Sequence, residues 1–231
     1  MFLYETHMHT SEGSACAHLS AKEQVRMYKE LGYDGIFVTD HFFGGNTAVS
    51  RNLPWKERIE RYCLGYEHAK EEGDRVGLQV FFGIETGFCG TEFLVYGVDK
   101  EWLISHPDMM EWSIKKQYEM IHRAGGLVVH AHPFRGHDKG KAAKLYPDAV
   151  DAVEVYNLGN IWRGVWMNES ALSYAKEQNL PITGGGDAHN AGSLHGGILT
   201  EERICSVEEF IRMILKKTGY DVIKDSIKEK V

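Results

Sequence analysis

Short apolar runs alternate with longer amphipathic stretches along the chain, the signature of repeated βα units. The first run, residues 2–6, reads as a strand. Residues 21–31 follow helical spacing, with Ser20 placed to cap the first turn and Gly32 just past the end. The apolar, β-branched run at 35–39 predicts a buried second strand. Residues 55–72 predict one long helix that opens after Pro54 and closes at Gly73. Strands are predicted at 78–84 and 93–98, a helix at 109–124 ended by Gly125-Gly126, and a strand at 127–131. A strand at 149–156, a helix at 165–178 and a short strand at 181–184 follow. The last strand is expected at 203–205, then a helix at 208–217 capped by Ser206. The charged tail from Tyr220 is expected to fray. About seven strands separated mostly by helices predict an α/β fold with a closed or nearly closed parallel barrel. A doubly wound open sheet is the alternative, and periodicity does not separate the two.

Composition adds bounds. The 231 residues, 43% of them hydrophobic, suffice for one sizeable core. No linker, repeat or low-complexity stretch divides them, so residues 1–231 read as a single domain. No run approaches the roughly 20 apolar residues of a membrane span. The first residues lack a basic segment followed by a long apolar run, so no signal peptide is read. Cys16, Cys63, Cys89 and Cys205 are scattered without a Cys-x-x-Cys pair. That argues against a zinc ribbon or disulfide framework and for a reducing, cytoplasmic setting. The formal net charge of −7 disfavours a broad nucleic-acid groove. A phosphate substrate stays compatible, because metal ions supply positive charge that a side-chain count omits.

The 12 histidines matter by position. His7 and His9 follow the first predicted strand, Asp40 and His41 the second, and Glu85 the strand ending at Ile84. His130 and His132 end the strand at 127–131, and Asp187 and His189 follow the strand at 181–184. In a parallel barrel such strand ends converge on one axis. In extended chain His7 and His9 point to one side, as do Asp187 and His189, while Met8 and Ala188 point into packing. Singly, each has an ordinary explanation: a His-x-His is common, Asp40 suits a helix cap, and Glu85 could pair with a lysine. Jointly, so many ionisable groups in one place would be costly without a cation among them. A mixed imidazole and carboxylate set suits Zn²⁺, Mn²⁺ or Fe²⁺ without choosing among them.

Five segments, His7-Met8-His9-Thr10, Thr39-Asp40-His41, Gly83-Ile84-Glu85, Ala131-His132-Pro133-Phe134-Arg135 and Gly186-Asp187-Ala188-His189, resemble in order the motifs of the polymerase-and-histidinol-phosphatase (PHP) superfamily. The resemblance spans roughly residues 5–190 and implies a distorted seven-stranded (β/α) TIM-like barrel with about two or three divalent metals. It implies that His7, His9, Glu85 and Asp187 hold one metal, and that His41 and His189 hold a second with a ligand from the loop after His9. Glu85 would bridge to a third metal also held by His132. The loop ligand is usually Asp or His; here Glu12 is favoured over His18, being closer to His9 and in a turn-like segment. Glu92 stands where many members have a His, so it is either a harder ligand to the third metal or that site is empty.

The expected activity is hydrolysis of small phosphomonoesters by metal-activated water. Arg135, and also Arg163, would grip phosphate oxygens, and Asn157 would touch substrate. His189 or Asp40 would supply the leaving group's proton, with Asp40 chiefly orienting its neighbours. His130 is expected to be a buried hydrogen-bonding residue, and Trp102, Trp112, Trp162 and Trp166 core and rim packing. Segments 42–54 and 136–148 are the expected lids. The alternatives are a nuclease or phosphodiesterase on nucleotides or short single strands, and a non-catalytic metal-binding regulatory domain with an incomplete ligand set. An amidohydrolase would want a metal-bridging lysine at a strand end, and none stands there.

Overall fold

The first strand, β1 (Phe2–Met8), is buried from Tyr4 onward. It pairs in parallel with β2 (Gly35–Val38) through α1 (Ala21–Glu30). Ser20 caps α1 as its sequence implies, with a reciprocal bond from Glu23 that completes a capping box. The computed structural model describes residues 1–137, 140, 142–193 and 195–224.

After β2 the expected long helix is two helices, α2 (Trp55–Tyr62) and α3 (Leu64–Val76), broken at Cys63. They break because they serve different neighbours. α2 turns Ile59 and Tyr62 toward Phe42, Phe43 and Trp55, whereas α3 lays Ala69 against α1. The helix end falls at Gly77, in the left-handed conformation at φ 73°, and not at Gly73.

β3 (Gln79–Phe88) continues the parallel ladder from β2, then turns directly into β4 (Thr91–Tyr96). This corrects the expectation of a wholly parallel sheet. Only Cys89 and Gly90 separate the two strands, both at positive φ (51° and 86°), as a two-residue hairpin requires. A parallel crossover has no room there. β4 runs antiparallel also to β5 (Leu127–Ala131). Between β4 and β5 lie α4 (Lys100–Ser105), capped by Asp99, and α5 (Ile114–Arg123), capped by Ser113. The predicted 109–124 helix is thus a 3-10 turn at Met109–Glu111 and a separate α5.

β6 (Ala152–Asn157) and β7 (Ile182–Gly185), joined by α6 (Trp166–Glu177), restore parallel pairing beyond β5. No strand forms at 203–205; the Ile204 amide bonds instead to the Tyr4 hydroxyl at 2.9 Å. The late strands are β8 (Ile198–Thr200), antiparallel to β1, and β9 (Tyr220–Val222), antiparallel to β8, with α7 (Val207–Lys216) between them. Tyr220–Val222 is therefore paired where fraying was expected, and residues 225–231 lie outside the described residues.

The strand order β7-β6-β5-β4-β3-β2-β1-β8-β9 nearly closes on itself. The chain leaving β7 meets β1: Asp187 N donates to His7 O at 2.8 Å, and Met8 and Ala188 form a parallel bridge. Gly185 permits this approach, since a Cβ there would sit 2.4 Å from the His7 Cβ. Apolar side chains fill the space between sheet and helices, with Phe37, Tyr96 and Phe210 in mutual ring contact at its centre. Among the described residues, no helix is long and apolar enough to cross a membrane.

Candidate metal centre

Near-closure brings the strand ends together. His7, within β1, and His9, just beyond it, turn the same way, and their Nε2 atoms face each other at 3.2 Å. Glu85, on β3, is placed beside His41 by an extension of the ladder in which Glu85 N donates to Asp40 O at 2.9 Å. His132 Nε2 reaches Glu85 Oε1 at 3.0 Å, and Asp187 Oδ1 lies 3.1 Å from His9 Nε2. His189 stacks on His9 with ring centroids 4.2 Å apart. Four groups have donor atoms close enough to share an ion: His7, His9 and Asp187; His7, Glu85 and His132; His9, His41 and His189; and His41, Glu85 and Glu92. His132 and Asp187 hold the left-handed backbone (φ 27° and 55°), which non-glycine residues adopt at a cost. Bonds from His132 N to Glu154 Oε2 (3.1 Å) and from Asp187 N to His7 O hold them there.

The hydrogen bonds fix which imidazole nitrogen is bare. His7 Nδ1 meets Glu154 Oε1 at 2.8 Å, and a carboxylate only accepts, so Nδ1 carries the proton. Ser14 Oγ donates its one hydrogen to Asp40 Oδ1 at 2.7 Å, so it accepts from His9 Nδ1 at 3.0 Å. His189 Nδ1 donates to Asp187 O at 2.8 Å. Each of the three therefore turns Nε2 toward the cluster. A positive charge must lie between the facing Nε2 atoms of His7 and His9, either a proton or a metal ion in its place. His41 Nδ1 and Glu85 Oε2 tell the same story. They lie 2.6 Å apart, yet neither is aligned for a hydrogen bond. Two buried donors aimed past each other at such a distance are what a shared cation satisfies.

The protonation tendencies agree. Burial opposes a charge on His7, but Glu154, Asp187 and Glu85 outweigh it and hold its pKa well above the ordinary value. Burial pushes His9 down to about 3. Burial would raise Glu85 and Asp187, yet both carboxyls are held well below the usual range, Glu85 by His7, His132 and His41, and Asp187 by Arg135, His7 and His9. Glu92 is raised, by burial first and by Glu85 next. The pocket thus keeps Glu85 and Asp187 ionised and invites positive charge, so its donors fit divalent ions.

The structure brings together His7, His9, His41, Glu85, Glu92, His132, Asp187 and His189 of the residues read from sequence. It does not bring Glu12 to them. That carboxylate accepts from Ala21 N at 3.0 Å and faces His68 Nδ1 at 3.2 Å, because it is drawn to the start of α1. His18 is exposed. Asp40 is buried and bonded to Thr10 N, Thr10 Oγ1 and Ser14 Oγ at 2.6–2.7 Å, so it braces the loop behind His9; burial lifts its pKa to about 6. Arg135 donates to Asp187 Oδ2, to Asn157 Oδ1 at 2.5 Å and to Asn160 Oδ1 at 2.9 Å. His130 is buried, with Nε2 on Thr91 Oγ1 at 2.9 Å.

A cavity of about 510 Å³ opens over the cluster, with Cys16, His41, Glu92, Arg135, Trp162 and His189 in its wall. Trp162 is 76% exposed, whereas Trp112 is buried in packing, so the four tryptophans do not share one role. Phe42 and Phe43 anchor the start of the expected 42–54 lid in the core. The other expected lid, 136–148, includes residues 138, 139 and 141, which lie outside the described residues. Sequence reasoning missed Glu154, Glu5, Asn160 and Cys16. Glu154 and Glu5 had a signal: each is an acid inside an apolar strand, Val153-Glu154-Val155 and Tyr4-Glu5. Glu5 accepts from His7 N (3.0 Å) and Gly186 N (2.8 Å), tying β1 to the chain after β7, and burial raises it to about 7.

A family model described as PHP-associated matches residues 166–218. A protein from Bifidobacterium adolescentis, provisionally named a metal-dependent phosphoesterase, superposes with a TM-score of 0.61 at 17% identity, over 95% of this chain and 97% of that one. A two-domain protein from Bacteroides vulgatus, containing a predicted PHP-like metal-dependent phosphoesterase, gives 0.69 at 15% identity, over 97% of this chain and 65% of that one. A lesion-specific endonuclease from Pyrococcus furiosus gives 0.58 at 11% identity, over 95% of this chain and 57% of that one. No curated protein matches the chain in sequence. The chain therefore shares the fold of these proteins and, over residues 166–218, resembles a PHP-associated segment.

Proposed function

We propose that the protein is a metal-dependent phosphoesterase that hydrolyses small phosphomonoesters. The observation that carries this reading is the set of bare Nε2 atoms of His7, His9 and His189, gathered with Glu85 and Asp187 beneath an arginine-walled cavity. His7, His9, Glu85 and Asp187 would hold one divalent ion, His41 and His189 a second, and Glu85, His132 and Glu92 a third. When bound, such ions supply charge for a phosphoryl group and lower the pKa of the attacking water. Zinc, manganese and iron all suit the donors.

The chain's own residues do the rest. Asn157 and Asn160 fix the Arg135 guanidinium, so its charge stands ready for phosphoryl oxygens without reorganising. Arg163 shares the cavity wall and can take a further oxygen. Glu92 and His189 both stand in the cavity wall beside Arg135. Trp162 offers an exposed face to the leaving group.

The test is hydrolysis of p-nitrophenyl phosphate beside bis-p-nitrophenyl phosphate by metal-stripped protein refilled with Mn²⁺, Zn²⁺ or Fe²⁺. Monoester turnover that falls at least ~100-fold in both His9→Ala and Asp187→Ala is expected. Preference for the diester would replace this reading with a phosphodiesterase acting on nucleotides or short single strands.

A further inference from the structure

The loop between His9 and α1 carries three side chains that could bind a metal: Glu12, Cys16 and His18. Glu12 is spent on the start of α1 and on His68, and His18 is exposed. Cys16 alone of the three lines the cavity with His41 and His189. The backbone fixes it there from both sides. Ala15 N donates to Asn46 O at 2.9 Å, Ala17 N to Ser14 O at 3.1 Å, and His18 N to His189 O at 2.8 Å. Ser14, two residues before, accepts from His41 N at 2.9 Å, so the loop and the His41 segment move as one.

A second observation points to a ligand at this place. His41, 8% exposed, has no aligned hydrogen bond at Nδ1, although Glu85 Oε2 lies 2.6 Å away and is likewise without one. His189 turns a bare Nε2 inward because Nδ1 is committed to Asp187 O. Two imidazoles and one sulfur in the wall of the same cavity form a donor set that a borderline-soft ion completes.

We infer that Cys16 is the loop ligand of this centre, binding as thiolate the divalent ion held by His41 and His189. The inference rests on the metal-centre reading above, and it differs from that reading's expectation of a carboxylate or imidazole from the loop. Sulfur at this position sets the ion's identity. It favours zinc, cobalt or ferrous iron over manganese or magnesium at this one site, while the Glu85 and Asp187 sites keep a hard donor set. On binding, the thiol gives up its proton to solvent and its lone pair to the metal, with no change of oxidation state.

The experiment loads metal-stripped full-length protein with Co²⁺ and reads thiolate-to-cobalt charge-transfer absorption in the near ultraviolet, with bound cobalt counted in parallel. The expected result is a band that disappears in Cys16→Ser and persists in Cys63→Ser, Cys89→Ser and Cys205→Ser. Cys16→Asp should recover the cobalt count without the band, which separates loss of a ligand from loss of the fold. Protein that takes up cobalt without the band, a band that survives Cys16→Ser, or protein that takes up no cobalt overturns the assignment. A band in protein that hydrolyses neither phosphate ester leaves Cys16 a ligand and overturns the phosphoesterase reading instead.

Discussion

The cluster has two unlike sides. On the β1, β6 and β7 side His7 is fully buried, and its Nδ1 is held by Glu154, which also accepts from His132 N and Asn157 Nδ2. Glu5 ties the same strand to Gly186 from beneath. On the loop side Cys16, Glu92 and His189 are each partly exposed, and His41 Nδ1 has no hydrogen bond. The closed side is over-determined in its side-chain bonds, whereas the open side faces the cavity. A buried polar network rigidifies only when every member is satisfied. The closed side therefore sets geometry, and the open side is where an ion and a substrate enter.

The largest effect should come from loosening the closed side. Glu154→Gln removes the charge that fixes the His7 ring, and metal affinity should fall about 10–100-fold. Titration with a chromophoric chelator measures this, and wild-type affinity in the variant would erase the distinction between the sides. Smaller is the effect of removing an open-side wall. Trp162→Ala should raise KM for an aryl phosphate about 2- to 10-fold, leaving kcat and Tm near wild type. An equal fall in kcat would place Trp162 in the packing and not against substrate.

The smallest effect lies outside both sides. Glu72 on α3 is lowered to about 2 by Arg75 first and Arg26 next. A carboxyl with a depressed folded pKa contributes stability that is complete above its ordinary value of 4.5 and is lost as pH falls toward about 2. Glu72 is itself covered, but the Arg26 and Arg75 side chains over it are more than half exposed, so solvent screens the pair. Glu72→Gln should slightly lower Tm at neutral pH and flatten the fall in Tm between pH 4.5 and about 2, measured by thermal melts across that window. Metal content should not change.

What could be read from sequence divides along physical lines. His7, His9, His41, Glu85, His132, Asp187 and His189 were legible because acids and imidazoles at strand ends have few packing explanations. The Ser20 cap was legible because its signal is local. The β3–β4 hairpin was not, since Cys89-Gly90 is an unusual pair for a turn with two positive φ values. Glu12 and Cys16 compete within a few residues, and which one faces the cavity depends on where α1 begins and where His68 lies. That is a tertiary fact. The same holds for Glu154, whose partners lie on β1 and beyond β5.

The meeting of β1 with the chain after β7 also bears on how the centre is assembled during synthesis. The bond from Gly186 N to Glu5 joins residues 181 positions apart, and His7 waits for Asp187 across nearly the same span. The first ligands leave the ribosome long before the last. A nascent chain therefore carries an unfinished set of donors while most of the barrel is still untranslated. Such distant contacts form slowly, so the centre should mature only once the segment carrying Asp187 and His189 has emerged.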